Sequence, residues 1–300
     1  MKGKWIRGMA AGALAIAGLA VFGADGPDAQ AQTVIESTAA GGTSVEKNEN
    51  CIIDYSNTDK GYVNVKYTES TNKTIKVQVT GPSGAAYFYT VRKKEYEVIP
   101  LTDGNGSYKV QVLKNISGNS YSYVLAKSFN ASLSNQFQPY IRPNQYVDYS
   151  ASSKCVKKAE SLCKKASTDL AKVKKVYKWV IKYFKYDYAK ARTVKAGYLP
   201  VLDTIYNKKK GICFDYASVM TAMLRSQGVP VKLVIGYTGK EYHAWINVYS
   251  KKKGWITGAI YIAADKWKLM DPTYASTGKS SKSVMKWINN TKNYKAKYSY

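Results

Sequence analysis

From residue 51 to about 138 apolar and polar positions alternate. Tyr62-Val63-Asn64-Val65-Lys66-Tyr67, Ile75-Lys76-Val77-Gln78-Val79 and Tyr108-Lys109-Val110-Gln111-Val112 each set every second side chain on one face. That is the period of a half-buried strand. Further β-rich runs lie at 85–91 and 121–126, and turn residues separate them: Gly81-Pro82-Ser83-Gly84, Asp103-Gly104-Asn105-Gly106 and Ser117-Gly118-Asn119. Short strands at regular spacing predict a small all-β, immunoglobulin-like sandwich over 51–138. Tyr87, Tyr89, Tyr121 and Tyr123 read first as strand packing, with a binding face as the other reading. Nothing in this region looks catalytic.

The period changes near Ile141-Arg142-Pro143. Residues 153–165 form a Lys-rich helix candidate. In 169–184, Leu170, Val173, Val176, Val180, Ile181 and Phe184 recur at helical spacing, with Ser167 and Thr168 as possible N-caps. A further helix is expected from 213 to 226, stopped by Gly228 and Pro230. Strands are expected at 231–236, 243–249 and 267–270. Helices followed by an antiparallel sheet make 139–300 an α+β domain. Residues 32–50 are small and polar and read as a linker.

The first 31 residues have another character. Lys2, Lys4 and Arg7 precede an uncharged Ala/Gly/Leu-rich run at 9–24, and Ala29-Gln30-Ala31 follows in an A-x-A pattern. This is the form of a secretory signal peptide, expected to be cleaved near Ala31. The apolar run is short for an uncleaved membrane anchor. No later stretch is long and apolar enough to span a bilayer, so the mature chain is expected to be secreted or held at the cell surface.

Charge is distributed unevenly. Of 46 basic and 20 acidic residues, positions 140–300 hold 32 and 9. Such a field favours anionic surroundings, and an anionic cell-wall polymer is a possible partner. Only five of the basic residues are Arg, the type that reads phosphates and guanines bidentately. Specific nucleic-acid binding is therefore not expected, and part of the charge is an ordinary solvated face.

Export permits disulfides among Cys51, Cys155, Cys163 and Cys213. Cys155 and Cys163, eight apart on one helix, would stand about 12 Å from each other, too far to bridge. A bond from Cys51 to either is open. An unpaired Cys213 would suit a reactive thiol.

Three residues carry candidate chemistry. Cys213, in Gly211-Ile212-Cys213-Phe214-Asp215-Tyr216-Ala217, opens the predicted helix. The positive end of the helix dipole favours the thiolate, the nucleophilic form. Alone, such a cysteine is more often a small buried hydrophobe. His243, the single histidine of the chain, begins an alternating strand. Asp271, in Asp271-Pro272-Thr273, ends another, where a carboxylate can hold an imidazole tautomer.

The order of these motifs is more specific than any one of them. G-x-C-x-D-Y-A, then a hydrophobic helix, Gly228-Val229-Pro230-Val231, Val234-Ile235-Gly236-Tyr237, H-A-W and finally D-P-T resembles the transglutaminase-like superfamily over about 170–275. The resemblance implies a papain-like core, helices packed on an antiparallel sheet. It also implies a catalytic triad of Cys213 as nucleophile, His243 as base and Asp271 as orienting acid. The expected reaction is acyl transfer on protein or peptide amides through a thioester, with water or an amine as acceptor. The Cys213 N–H is one expected oxyanion donor, and Trp179, Tyr183 and Tyr186 are candidates for another. No metal or cofactor is implied. One departure stands out: residues 255–264 lengthen the segment before D-P-T, either as a flap or as a longer hairpin without a role. The alternative function is a non-catalytic wall-binding scaffold, which an inert Cys213 thiol would favour.

Overall fold

A computed structural model describes residues 33–251 except Lys93, together with 254–256, 260–263, 266–269, Thr273 and 291–300. The predicted signal peptide and Asp271 lie outside the described residues.

Eight strands occupy residues 45–131: β1 (Val45–Lys47), β2 (Cys51–Asp54), β3 (Tyr62–Tyr67), β4 (Ile75–Thr80), β5 (Ala86–Thr90), β6 (Tyr96–Pro100), β7 (Gly106–Ser117) and β8 (Ser120–Ala131). They form two antiparallel four-stranded sheets, in the orders β1-β2-β3-β6 and β5-β4-β7-β8. In β4 the alternation in the sequence becomes two faces, whereas β3 is buried on both. In β4, Ile75, Val77 and Val79 are buried, while Lys76, Gln78 and Thr80 are only partly covered. Each fully buried side chain of this size contributes roughly 1.5–3 kcal/mol.

Residues 33–50 are packed down where a linker was expected. They supply β1, and Val34 N–H donates to Ser226 O at 2.8 Å. Ser37 O accepts from Arg142 Nη1 at 2.7 Å, and Ala39 O accepts from the Tyr62 hydroxyl at 3.0 Å. The small composition is what allows this: a Cβ on Gly41 would lie 2.6 Å from Ser56 Cβ.

The second half runs α1 (Lys154–Cys163), α2 (Asp169–Tyr183), β9 (Lys185–Tyr186), α3 (Tyr188–Thr193), α4 (Leu202–Lys208), β10 (Lys210–Gly211), α5 (Cys213–Arg225), β11 (Val231–Thr238), β12 (Glu241–Ser250), β13 (Gly254–Ile256), β14 (Ile260–Ala263), β15 (Lys266–Leu269) and β16 (Tyr294–Ser299). Thr168 caps α2, its hydroxyl accepting from Ala171 N–H at 3.2 Å. The main sheet is antiparallel in the order β13-β12-β11-β16. Helix α5 packs on β11 and β12, with α1, α2 and α4 around it. The expected α+β class is what the structure shows. α3, α4 and β16 were not expected; α3 buries no side chain and so leaves no periodic trace.

One detail differs from the sequence reading. Among the described residues β15 pairs with β14 in a two-stranded sheet, and the sheet that carries His243 runs β13-β12-β11-β16. Within the lengthened 255–264 segment, the described residues divide between β13 and the β14–β15 hairpin.

Buried residues of both halves form one continuous apolar cluster. Tyr140, Arg142, Val147 and Tyr149, from the segment between the halves, are buried. Arg225 ties several parts together. It is fully buried and donates to Val231 O from Nε (3.0 Å) and Nη2 (2.7 Å), to Arg142 O (2.7 Å) and to Tyr300 O (2.7 Å). Burial lowers its proton affinity to about 10. Carbonyl dipoles hold the cation there.

Candidate active site

Cys213 is the first residue of α5, a thirteen-residue helix buried continuously from Asp215 to Arg225. It is half-buried, at the end of the helix that leaves N–H groups unpaired. The other three cysteines are free and buried, Cys51 in β2 and Cys155 and Cys163 in α1. No disulfide joins Cys51 to either. Burial pushes their thiols up to about 12, about 12 and about 11 respectively, and keeps them protonated.

The backbone before Cys213 is held by a network that the sequence reading did not anticipate. The Asp215 carboxylate is fully buried. Its Oδ2 accepts from Ile212 N–H at 2.9 Å, the reach of an N3 carboxylate back to the N-cap. The same oxygen takes Lys190 Nζ at 2.5 Å, and Oδ1 takes the Tyr198 hydroxyl at 2.6 Å. Lys190 Nζ also donates to the Tyr198 oxygen at 2.6 Å. A buried carboxylate without such partners would cost several kcal/mol. Burial, and then the bond to Asp215, raise the Tyr198 hydroxyl far above its ordinary range, so it stays a donor. Gly211 is required here: a Cβ would sit 2.5 Å from Asp215 Cβ. Asp215 did stand in the quoted motif. Lys190 and Tyr198 gave no signal, being polar residues 25 and 17 positions away.

A short parallel pairing adds a further group. β9 pairs with β10 through Lys185↔Lys210 and Tyr186↔Gly211, and Asp187 N–H donates to Gly211 O at 2.9 Å. This sets Tyr186 close to Cys213. Burial first, then the charge of Cys213, push the Tyr186 hydroxyl up to about 12, so at neutral pH it keeps its proton.

His243 lies in β12 opposite Gly236 of β11 and is 6% exposed. Its ring is stacked 6.3 Å from that of Trp245. Cys213, Tyr186 and His243 line a single cleft of about 570 Å³. Of the three upstream aromatic candidates, Tyr186 alone borders this cleft. Trp179 instead stacks on Tyr206 at 5.6 Å, and Tyr183 is exposed. Two of the three sequence-predicted site residues are therefore brought to one cavity, and the third, Asp271, falls outside the described residues.

An α+β core with a cysteine at a helix N-terminus, and a histidine from the adjoining antiparallel sheet in the same cleft, defines a class of thiol site. Residues 156–258 match the family model described as the transglutaminase-like superfamily, so this segment is a transglutaminase-like domain. The match contains Cys213 and His243 and stops short of Asp271. Uncharacterized protein YebA of Bacillus subtilis is 32% identical over 71 residues, covering 18% of this chain and 10% of that protein. A protein-glutamine gamma-glutamyltransferase of Pseudomonas aeruginosa is 28% identical over 86 residues, covering 24% of this chain and 11% of that protein. The chain thus spans about a tenth of the length of these curated relatives. Among solved structures, the periplasmic domain of TgpA from Pseudomonas aeruginosa aligns over 78% of this chain and 76% of its own, at 15% identity and a TM-score of 0.36.

Proposed function

We propose that this protein is an exported thiol acyl-transfer enzyme acting on carboxamide or peptide bonds. The observation that carries the reading is that Cys213, at the N-terminus of α5, and His243, on β12, line one cleft. The Cys213 thiol passes its proton to His243 as Sγ attacks the carbonyl carbon of the donor amide, whose oxygen takes the negative charge. The Cys213 N–H and the Tyr186 hydroxyl, which keeps its proton, are the donors assigned to that oxyanion. His243 then protonates the leaving amine as the C–N bond breaks, which leaves a thioester on Sγ. Asp271 is assigned the role of orienting the His243 imidazole. In the second half, water or an amine attacks the thioester, His243 removes the proton from the attacking group, and the thiolate leaves. Water is the default acceptor, since no amine site is identified.

Three observations support the reading: the transglutaminase-like domain over 156–258, the glutamyltransferase among the relatives, and a clamp that fixes the backbone immediately before the thiol. Export is proposed from the charged N-terminus and the A-x-A pattern. Among the described residues no helix is long and apolar enough to cross a membrane. The proposed partner outside the cleft is an anionic wall polymer, met by exposed lysines on α1 and α2 such as Lys157, Lys178 and Lys182.

Mass spectrometry of a glutamine-containing peptide library, with and without an added primary amine, separates the outcomes. Deamidation, cleavage and amine incorporation each change mass differently. A library left unaltered under every condition contradicts the proposal.

A further inference from the structure

The cleft is not built by the transglutaminase-like domain alone. Lys76, Phe88, Tyr89 and Thr90 of the sandwich line it together with Cys213 and His243. We infer that β5 and its neighbour β4 form the substrate-reading wall, and that they select acyl donors bearing a bulky apolar side chain and a carboxylate close to the reactive carboxamide. The inference rests on the thiol chemistry proposed above.

The wall is held in place. β5 is an edge strand, and side chains satisfy its outer edge. Gln145 accepts from Thr90 N–H at 3.2 Å and donates to Thr90 O at 2.9 Å, while the Tyr146 hydroxyl donates to Phe88 O at 2.9 Å. The Tyr146 ring lies 6.0 Å from that of Phe214, the residue after Cys213. Tyr89 packs edge-on to Tyr300 at 5.9 Å. The position of β5 is thereby coupled to that of the thiol through two packed rings.

What the wall offers is specific in kind. Phe88 is 46% exposed although its backbone is tied down, and its neighbours across β4 and β7 are Gln78 and Gln111. An apolar ring left uncovered on a concave wall gains most by packing against another apolar side chain. Lys76 lies one strand in, its ammonium held 4.9 Å above the Tyr121 ring. Lys195 lines the cleft from the α3–α4 loop. Among the described residues no Asp or Glu lines it. A carboxylate on the donor thus meets cations, without a competing anion from those residues. Recognition of a flanking side chain across a second domain also fits the way Tyr146 and Tyr300 pack on Tyr87 and Tyr89 of the sandwich.

Two measurements test this. In the first, kcat/KM is determined for glutamine peptides whose flanking positions are Gly, Leu, Phe, Asp or Lys. The wild type is expected to favour Leu or Phe with Asp nearby. Phe88→Ala is expected to lose about tenfold in kcat/KM for the apolar-flanked peptides, mainly through KM. Lys76→Glu is expected to shift preference from Asp to Lys. The second measures binding of the same fluorescent peptides to Cys213→Ala protein by anisotropy, alone and combined with each wall substitution. The same order of preference is expected without turnover, which separates a failure of the wall from a failure of the chemistry. Both side chains sit on the open face of the sheet, so folding by circular dichroism is expected to be unchanged. Equal binding of all the peptides by Cys213→Ala protein, or a preference order that neither wall substitution alters, overturns the inference.

Discussion

The sandwich and the helix-and-sheet half that follows it bury their chains in opposite ways. In the sandwich, strands such as β4 bury every second residue, and polar side chains leave the core by pointing the other way. In the second half, α5 is buried along eleven consecutive residues, including Asp215, Ser218, Thr221 and Arg225. A half-buried strand can present groups such as Phe88 and Lys76 without disturbing its core. The two buried charges of α5, Asp215 and Arg225, are instead each held by several hydrogen-bond partners, which fixes them. Recognition fits the first kind of element, and a fixed thiol and backbone N–H fit the second. The cysteines follow the same division. Cys51, Cys155 and Cys163 serve as small core residues, whereas Cys213 stands at the open end of α5.

The largest expected effects are on the chemistry of the second half. His243→Ala is expected to lower kcat by about 10³-fold, because no other histidine in the chain can take over as base. Asp271→Ala is expected to cost less and to leave residual turnover, since it orients and does not react. Steady-state kinetics on one peptide, with circular dichroism as a folding control, read both.

Breaking the buried polar groups is the next step down. Arg225→Met takes the guanidinium donor from the carbonyls of Val231 and Arg142, while Tyr300 O keeps the N–H of Leu233. The expected loss is about 2–4 kcal/mol of unfolding free energy, read by urea denaturation. Asp215→Asn and Lys190→Met are expected to lower kcat about tenfold with KM little changed, because the backbone before Cys213 loses its clamp while the apolar wall remains. A loss confined to KM would assign the clamp to binding instead.

Alkylation compares the thiols directly. Iodoacetamide at pH 8 is expected to label one thiol of the folded protein, Cys213, and all four in denaturant. The linkage has a definite sign. The native state keeps protons on the three buried thiols up to about 11–12, whereas the unfolded chain releases them near the ordinary value of 9.0. Their contribution to stability is therefore full below pH 9 and is lost as pH rises toward 11 and beyond. The smallest expected effect is on the basic surface. Retention on an anionic polymer should fall steeply between low and high salt, and retention independent of salt would exclude an electrostatic origin.

Much of this arrangement was legible in the sequence because it is local. The Cys213 helix start, the Thr168 cap and the alternation of β4 are each fixed by residues within a few positions, whereas β3 is buried at Asn64 as well as at Tyr62, Val63 and Val65. What was not legible depends on distant contacts. Lys190 and Tyr198 gain their meaning from a carboxylate on another element. β16 pairs with β11 across more than fifty residues, although Tyr294-Lys295-Ala296-Lys297-Tyr298 does alternate. Residues 33–50 have the composition of a linker, and only the hydrogen bonds of Ser37 and Ala39 reveal a packed strap.

The central claim is that Cys213 forms a covalent acyl intermediate in the cleft it shares with His243. Intact-mass spectrometry of acid-quenched reactions with a glutamine peptide tests it most directly. Wild-type protein is expected to gain the mass of the donor peptide less ammonia, or less the leaving peptide, on the tryptic fragment that carries Cys213. The adduct should vanish on brief hydroxylamine treatment, as a thioester does. Folded Cys213→Ala protein is expected to show neither adduct nor turnover. Wild-type turnover by that variant, or an adduct mapped to another residue, would contradict the account.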